Sequence, residues 1–104
     1  MAMYPLSILE DKTQIMYSNL REVGGVKNVS IHFERPTKDG FDSVRCELPS
    51  YEWTIWEGKY TDEEMEVFEH MVRDGAHVFY ELAEMGGYDL YGSPKAAVLW
   101  WPII

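Results

Sequence analysis

Apolar and polar residues alternate through three segments in the middle of the chain, at residues 29–34, 43–48 and 51–56. A period of two residues is typical of a strand that buries one face. An Asp39-Gly40 turn separates the first two segments, and Pro49-Ser50 separates the second from the third. Consecutive strands joined by short turns pair antiparallel, so this pattern predicts a three-stranded antiparallel meander.

A long amphipathic helix is predicted to follow this meander. Apolar residues recur three and four positions apart from Met65 to Ala83, which is the spacing of one helix face. Thr61 followed by Glu64 is the pattern of a capping box, in which each side chain satisfies a free backbone N–H of the first turn. Gly86-Gly87 is a helix stop. We expect this helix to cover one face of the sheet.

A second helix is predicted near the beginning of the chain, over residues 5–23. Pro5 suits a first helical turn, and Gly24-Gly25 suits a helix end. The apolar positions of this segment also fit a helical face: Ile8, Leu9, Ile15, Met16, Leu20 and Val23. The alternative is a strand over residues 13–19, where apolar and polar residues also alternate.

The end of the chain is apolar and broken by Pro102. Residues 97–101 are predicted to form a short strand at a sheet edge, because proline is tolerated at edges and strand ends. The alternative is a tail that docks on the core or on a second subunit, giving a homodimer. Trp100 and Trp101 are adjacent and cannot both face inward from a strand, so one of them faces solvent or a partner.

These elements predict one domain of the α+β class over residues 1–104. Its order is an N-terminal helix, a three-stranded antiparallel meander, a long helix packed on one sheet face, and a short C-terminal edge strand. Hydrophobic residues make up 46% and charged residues 26%, as in ordinary globular proteins. Cys46 is the only cysteine, which excludes an intrachain disulfide and favours a reducing compartment. With no export signal and no long apolar stretch, a cytoplasmic location is expected.

The net charge of −9 is concentrated in one segment. Residues 61–89 contain nine acids and a single base, Arg73. A negative field of this kind repels nucleic acids and anionic membranes and attracts basic proteins. The simpler interpretation is a solvated helix face that keeps the protein soluble.

The residues that could carry chemistry form no recognisable constellation. His70 and His77 share a face of the predicted long helix, but two turns separate them by about 10.5 Å, too far for one metal ion without a third element. Cys46 has the apolar parity of its strand and is interpreted as a core residue. No nucleophile motif, phosphate loop or zinc spacing occurs. The sequence therefore predicts no catalysis, no cofactor and no metal.

Exposed aromatic residues indicate binding instead. On plain alternation, Trp56 has the opposite parity to Trp53 and points away from the helix-covered face, where an exposed tryptophan suits an interface. The alternative is that Trp56 is buried locally. Acidic residues of the long helix would attract the partner. The predicted partner-binding residues are Trp56, Glu63, Glu66, Glu69, His70, Trp100 and Trp101.

The order of turns and elements over residues 30–85 resembles the sheet-and-helix domain of HicB-type antitoxins. The resemblance rests on Asp39-Gly40, Leu48-Pro49, Gly58 and the Thr61–Glu64 helix start. The spacing from Pro49 to Gly58 is longer than that family's pattern, so membership is not predicted.

The leading functional hypothesis is a small acidic, non-catalytic protein-binding module that inhibits a basic protein or nuclease. Antitoxins, immunity proteins and phage anti-defence proteins are of this kind. One alternative is a small-ligand-binding protein or minor enzyme with a pocket lined by Tyr and Trp. The other is an oligomeric structural or accessory protein joined through the Trp100-Trp101 tail.

Overall fold

A computed structural model describes residues 2–86 as one six-stranded antiparallel sheet with a single helix on one face. The strand order is β1-β2-β4-β5-β6, and β3 pairs with the beginning of β4. The bounds of the elements are β1 Met3–Ile8, β2 Gln14–Ser18, β3 Arg21–Val23, β4 Val26–Thr37, β5 Gly40–Leu48, β6 Glu52–Glu57 and α1 Asp62–Glu84.

The predicted N-terminal helix over residues 5–23 is wrong, because this segment forms β1, β2 and β3. Gly24 and Gly25 have φ angles of 57° and 81°, and they join Val23 to its partner Val26 across a hairpin. Two successive residues with positive φ form the tight turn that suits the twist of paired strands. The glycine pair therefore reverses a strand and does not end a helix.

The predicted three-stranded meander is wrong as well. Its three segments lie within β4, β5 and β6, but these strands belong to a larger sheet. β4 is 12 residues long and pairs with β2 on one side and β5 on the other. The fold is therefore mostly β, with one helix against a continuous antiparallel sheet. The predicted strand at residues 97–101 lies outside the described residues.

The helix α1 begins with the capping box that its sequence indicates. The Thr61 hydroxyl accepts from the Glu64 N–H at 3.1 Å, and the Glu64 carboxylate accepts from the Thr61 N–H at 3.0 Å. Both otherwise free donors at the helix start are thereby satisfied. No helix among residues 2–86 combines the length and the apolar composition needed to cross a bilayer.

The hydrophobic core lies between α1 and one face of the sheet. Phe33 on β4 stacks on Phe68 of α1 with ring centroids 4.2 Å apart, and Tyr60 meets Phe68 edge-on at 5.0 Å. Further along the helix, the ring of Tyr17 on β2 packs near that of Phe79, with centroids 6.4 Å apart. Such aromatic pairs add specific geometry to the burial of apolar area.

The other face of the sheet, which we call the open face, carries polar residues and is not covered by a helix from the described part of the chain. Ser30 and His32 of β4 are nonetheless buried there. The Arg21 guanidinium donates to the Ser30 hydroxyl, which donates to the Glu47 carboxylate. Arg45 lies beside His32, with its Nε 3.4 Å from the imidazole Nδ1. Within residues 2–86, long side chains therefore cover this face in place of a second layer of secondary structure.

Candidate functional site

The strand β6 is one edge of the sheet within the described residues, and α1 runs back alongside it. The Arg73 guanidinium lies 4.2 Å from the centroid of the Tyr51 ring. The Trp53 indole N–H donates to Glu69 at 3.4 Å. A strand advances about 3.3 Å per residue and a helix about 1.5 Å. The order of these contacts shows that α1 runs antiparallel to β6, so Trp56 lies toward the beginning of α1.

Trp56 lies on the same face of the sheet as Trp53, which corrects the prediction that it points away from the helix. A register shift between Arg45 and Cys46 places an extra residue in β6, so Trp53 pairs with Cys46 and Trp56 pairs with Val44. Directly opposed residues of antiparallel strands point to one face, and both Cys46 and Val44 are buried. Trp56 is still 51% exposed, at the end of an edge strand.

Acidic residues of α1 line this side of the molecule. Asp62, Glu66, Glu69 and Arg73 recur at spacings of three and four residues, which places them along one side of the helix. Glu69 contacts Trp53 of β6 and Arg73 contacts Tyr51 just before it, so Asp62 and Glu66 lie on the same side of α1 as these two residues. We call this edge of the molecule the β6–α1 flank. It comprises Trp53, Trp56, Asp62, Glu66 and Glu69 on the helix side, and Glu52 and Glu57, which pair with Glu47 and Ser43, on the open face.

The flank contains three of the predicted partner-binding residues, Trp56, Glu66 and Glu69. Glu63 and His70 are exposed on the side of α1 that faces away from the sheet, so they do not join it. Trp100 and Trp101 lie outside the described residues.

Most flank carboxylates are not neutralised by a neighbour. Glu69 lies 3.8 Å from Arg73, and the remaining flank acids form no ion pair among residues 2–86. Several of the bases in this part of the chain are paired elsewhere: Arg21 with Glu47, and Lys27 with Glu84. The flank therefore presents negative charge beside a half-exposed tryptophan.

A second cluster of charges surrounds Arg35 on the helix-covered face, at the start of α1. Its guanidinium bonds to Asp11 at 3.0 Å, Asp42 at 2.8 Å and Glu64 at 2.7 Å. It also lies 4.4 Å from the centroid of the Tyr60 ring. These contacts tie the β1–β2 turn, β4, β5 and α1 together, and we call the cluster the Arg35 clasp.

The residues of the Arg35 clasp bond to one another and stabilise the fold. Hydrogen bonds from Arg35 and from the Lys59 N–H hold the pKa of Asp42 below its usual range, so this buried carboxylate stays ionised. Gly58 passes so close that a Cβ there would stand 2.3 Å from an Asp42 carboxylate oxygen, and its φ is 93°. Only glycine fits this approach. Each of the three guanidinium nitrogens of Arg35 donates to an internal carboxylate, which leaves little for a ligand.

Two titratable groups outside these clusters offer no reactive centre. Burial, with Glu69 and Glu47 nearby, raises the pKa of the Cys46 thiol to about 12, so the thiolate needed for nucleophilic attack does not form near neutral pH. Burial and the Arg45 charge lower the pKa of His32. Among residues 2–86, no three His, Cys, Asp or Glu side chains are grouped to hold a metal ion.

Two open depressions mark the surface. One lies between the β4–β5 turn and Gly58-Lys59, and the other lies beside Pro5–Ile8 and Gln14. Neither has Tyr or Trp in its lining, so neither matches the aromatic pocket that the alternative hypothesis requires.

The sequence matches no known family model, and no similar curated protein or solved structure was found.

Proposed function

We propose that this protein is a small acidic, non-catalytic module that binds a basic protein through the β6–α1 flank and inhibits it. The observation that carries the proposal is the position of Trp56, half exposed on the edge strand and on the helix side of the sheet, where Asp62 and Glu66 of α1 form no ion pair among residues 2–86. Acidic residues and an aromatic anchor are the two parts that a protein interface for a basic partner needs.

The two parts have different physical roles. Carboxylates act at a distance and raise the rate of encounter, and salt screens them beyond about 10 Å at 0.1 M. A tryptophan acts at contact, where its desolvation slows dissociation. The proposal includes a cytoplasmic location, which is consistent with a chain whose single cysteine, Cys46, is free and buried.

The test uses two charge-reversal pairs that change the net charge equally. The flank pair is Glu57→Lys with Glu66→Lys, and the control pair is Glu10→Lys with Glu22→Lys, all at exposed positions. Immobilised wild-type and variant proteins are exposed to the same lysate at low salt. The partner is identified as a basic protein that binds to the immobilised wild type and to the control pair but not to the flank pair.

Kinetics on the purified partner then separate the two roles. We expect the flank pair to lower the association rate about tenfold at low salt and the control pair to change it little. Trp56→Ala should instead raise the dissociation rate about tenfold or more. Equal affinity of the flank and control pairs, or no protein that distinguishes them, would contradict the proposal.

A further inference from the structure

The backbone of β6 has no neighbour on its outer side among the described residues, since β5 occupies only its inner side. An unpaired edge of this kind is a template for another strand. The opposite edge, β1, differs in containing Pro5, which has no backbone donor. β6 contains no proline and no lysine, the residues that most often block edge pairing.

We propose that the partner adds an extended basic segment to β6 as a further strand of the sheet. This inference rests on the proposed function and specifies how the flank would recognise its partner. Strand addition supplies affinity through backbone hydrogen bonds, while side chains at alternate positions supply specificity.

The two faces of β6 define the sequence of the added strand. On the helix side, Glu69 contacts Trp53, and Asp62 and Glu66 share the side of α1 that carries Glu69, so alternate residues of the added strand meet carboxylates and aromatic rings. Lys or Arg at those positions would pair with the acids and lie against an indole. On the open face, Ile55 lies opposite Arg45 and is flanked by Glu52 and Glu57, so an uncharged residue suits the centre of that side. The occupant is therefore a strand of alternating basic and neutral residues.

A second copy of this chain fits the edge poorly. Antiparallel pairing of two β6 strands about a two-fold axis would bring Glu52 of each copy next to Glu57 of the other. Parallel pairing in register would place identical glutamates side by side. Like charges opposite each other destabilise strand pairs, and each copy carries a net charge of −9. Charge therefore favours a basic partner over self-association.

The experiment uses the full chain and a synthetic peptide of alternating Lys and Val, roughly eight residues long. Two control peptides carry N-methyl groups either on every Lys or on every Val. N-methylation removes a donor without changing charge, and the donors of a strand alternate between its two edges. One control therefore blocks the edge that meets β6, and the other blocks only the outer edge.

We expect one N-methylated peptide to bind about tenfold or more weakly than the parent and the other to bind within about threefold of it. Hydrogen exchange should show added protection at residues 52–57 and not in β1. Equal binding of all three peptides to the wild type would overturn strand addition. If none of these peptides then binds the flank-pair variant, the proposed function still stands. Binding of none of the peptides would also overturn strand addition, while retention of a partner from lysate decides the proposed function separately.

Discussion

The two faces of the sheet bury their central residues by different means. Under α1, Phe33 and Phe68 stack as parts of two rigid elements. On the open face, Ser30 is fully buried, but flexible side chains such as Arg21 and Glu47 cover it. Apolar burial on the first face contributes stability in proportion to area, whereas polar contacts on the second mainly avoid the cost of unsatisfied groups. Substitutions should therefore cost more on the helix-covered face.

The largest effect is expected at the centre of the helix-covered face. Phe68→Ala removes the ring that both Phe33 and Tyr60 contact, and we expect it to lower the free energy of unfolding by about 4 kcal/mol. The control is Val67→Ala, because Val67 is the next residue and 51% exposed. Denaturant midpoints measure both. Similar midpoints for the two variants would mean that the aromatic stack contributes no special stability.

The Arg35 clasp is expected to give the second largest effect. Arg35→Met leaves the buried Asp42 carboxylate without its partner and should cost about 3 kcal/mol at neutral pH. Arg73→Met is a matched control, since Arg73 also lies over a tyrosine ring, that of Tyr51, but is solvent-exposed.

The clasp also has a pH signature. Arg35 lowers the pKa of Asp42 in the folded protein, so the stabilisation is present above the carboxyl's ordinary value of 3.8 and is lost as the pH falls below it. The stability difference between wild type and Arg35→Met should therefore shrink toward pH 3 in acid-unfolding curves. A constant difference across that range would show that the arginine acts through packing alone.

On the open face, the most costly change should be one that strands a buried donor. The Ser18 hydroxyl accepts from the Ser30 N–H at 2.8 Å, where β2 stops pairing with β4. Ser18→Ala leaves that N–H without an acceptor and should cost about 2 kcal/mol in denaturant unfolding. Ser50→Ala, at an exposed turn, is the control. If Ser18→Ala lowered the free energy of unfolding as much as Phe68→Ala, the two faces would not differ in their sensitivity to substitution.

The smallest effect is expected at His32. Burial and Arg45 lower its pKa in the folded state, so folding disfavours its protonation, and stability declines as the pH falls through the ordinary value of 6.5. His32→Gln should remove that part of the decline. Thermal unfolding between about pH 7 and 5 measures the difference. If the stability of wild type and of His32→Gln depended on pH in the same way, protonation of His32 would not contribute to the decline.

The sequence predicted elements that depend on local chemistry. Thr61 and Glu64 are three residues apart, and the capping box that they form needs no information from elsewhere in the chain. The N-terminal prediction failed because its apolar spacing fits two structures. The Gly24-Gly25 pair suits both a helix end and a hairpin, and only pairing with β4 selects the hairpin.

Only part of the candidate site could be predicted, because some of its features are local in the sequence and others depend on long-range pairing. The acids of α1 are visible in the sequence, and the spacing from Asp62 to Glu69 could have shown that they share one side. The edge position of β6 depends on the whole sheet, and no residue of β6 indicates it. The Arg35 clasp joins residues as distant as Asp11 and Glu64, so no local pattern could reveal it.

The bulge in β6 has a consequence for insertions and deletions. Trp56 reaches the helix side because one extra residue, near Thr54, separates its register from that of Trp53. Deleting that residue would restore plain alternation and leave Trp53 and Trp56 both on the helix side, with the net charge unchanged. A further insertion would instead turn one side of the strand over, because side chains alternate between the two faces. The stretch between Pro49 and Gly58 should therefore tolerate the loss of the bulge residue more readily than the gain of another residue.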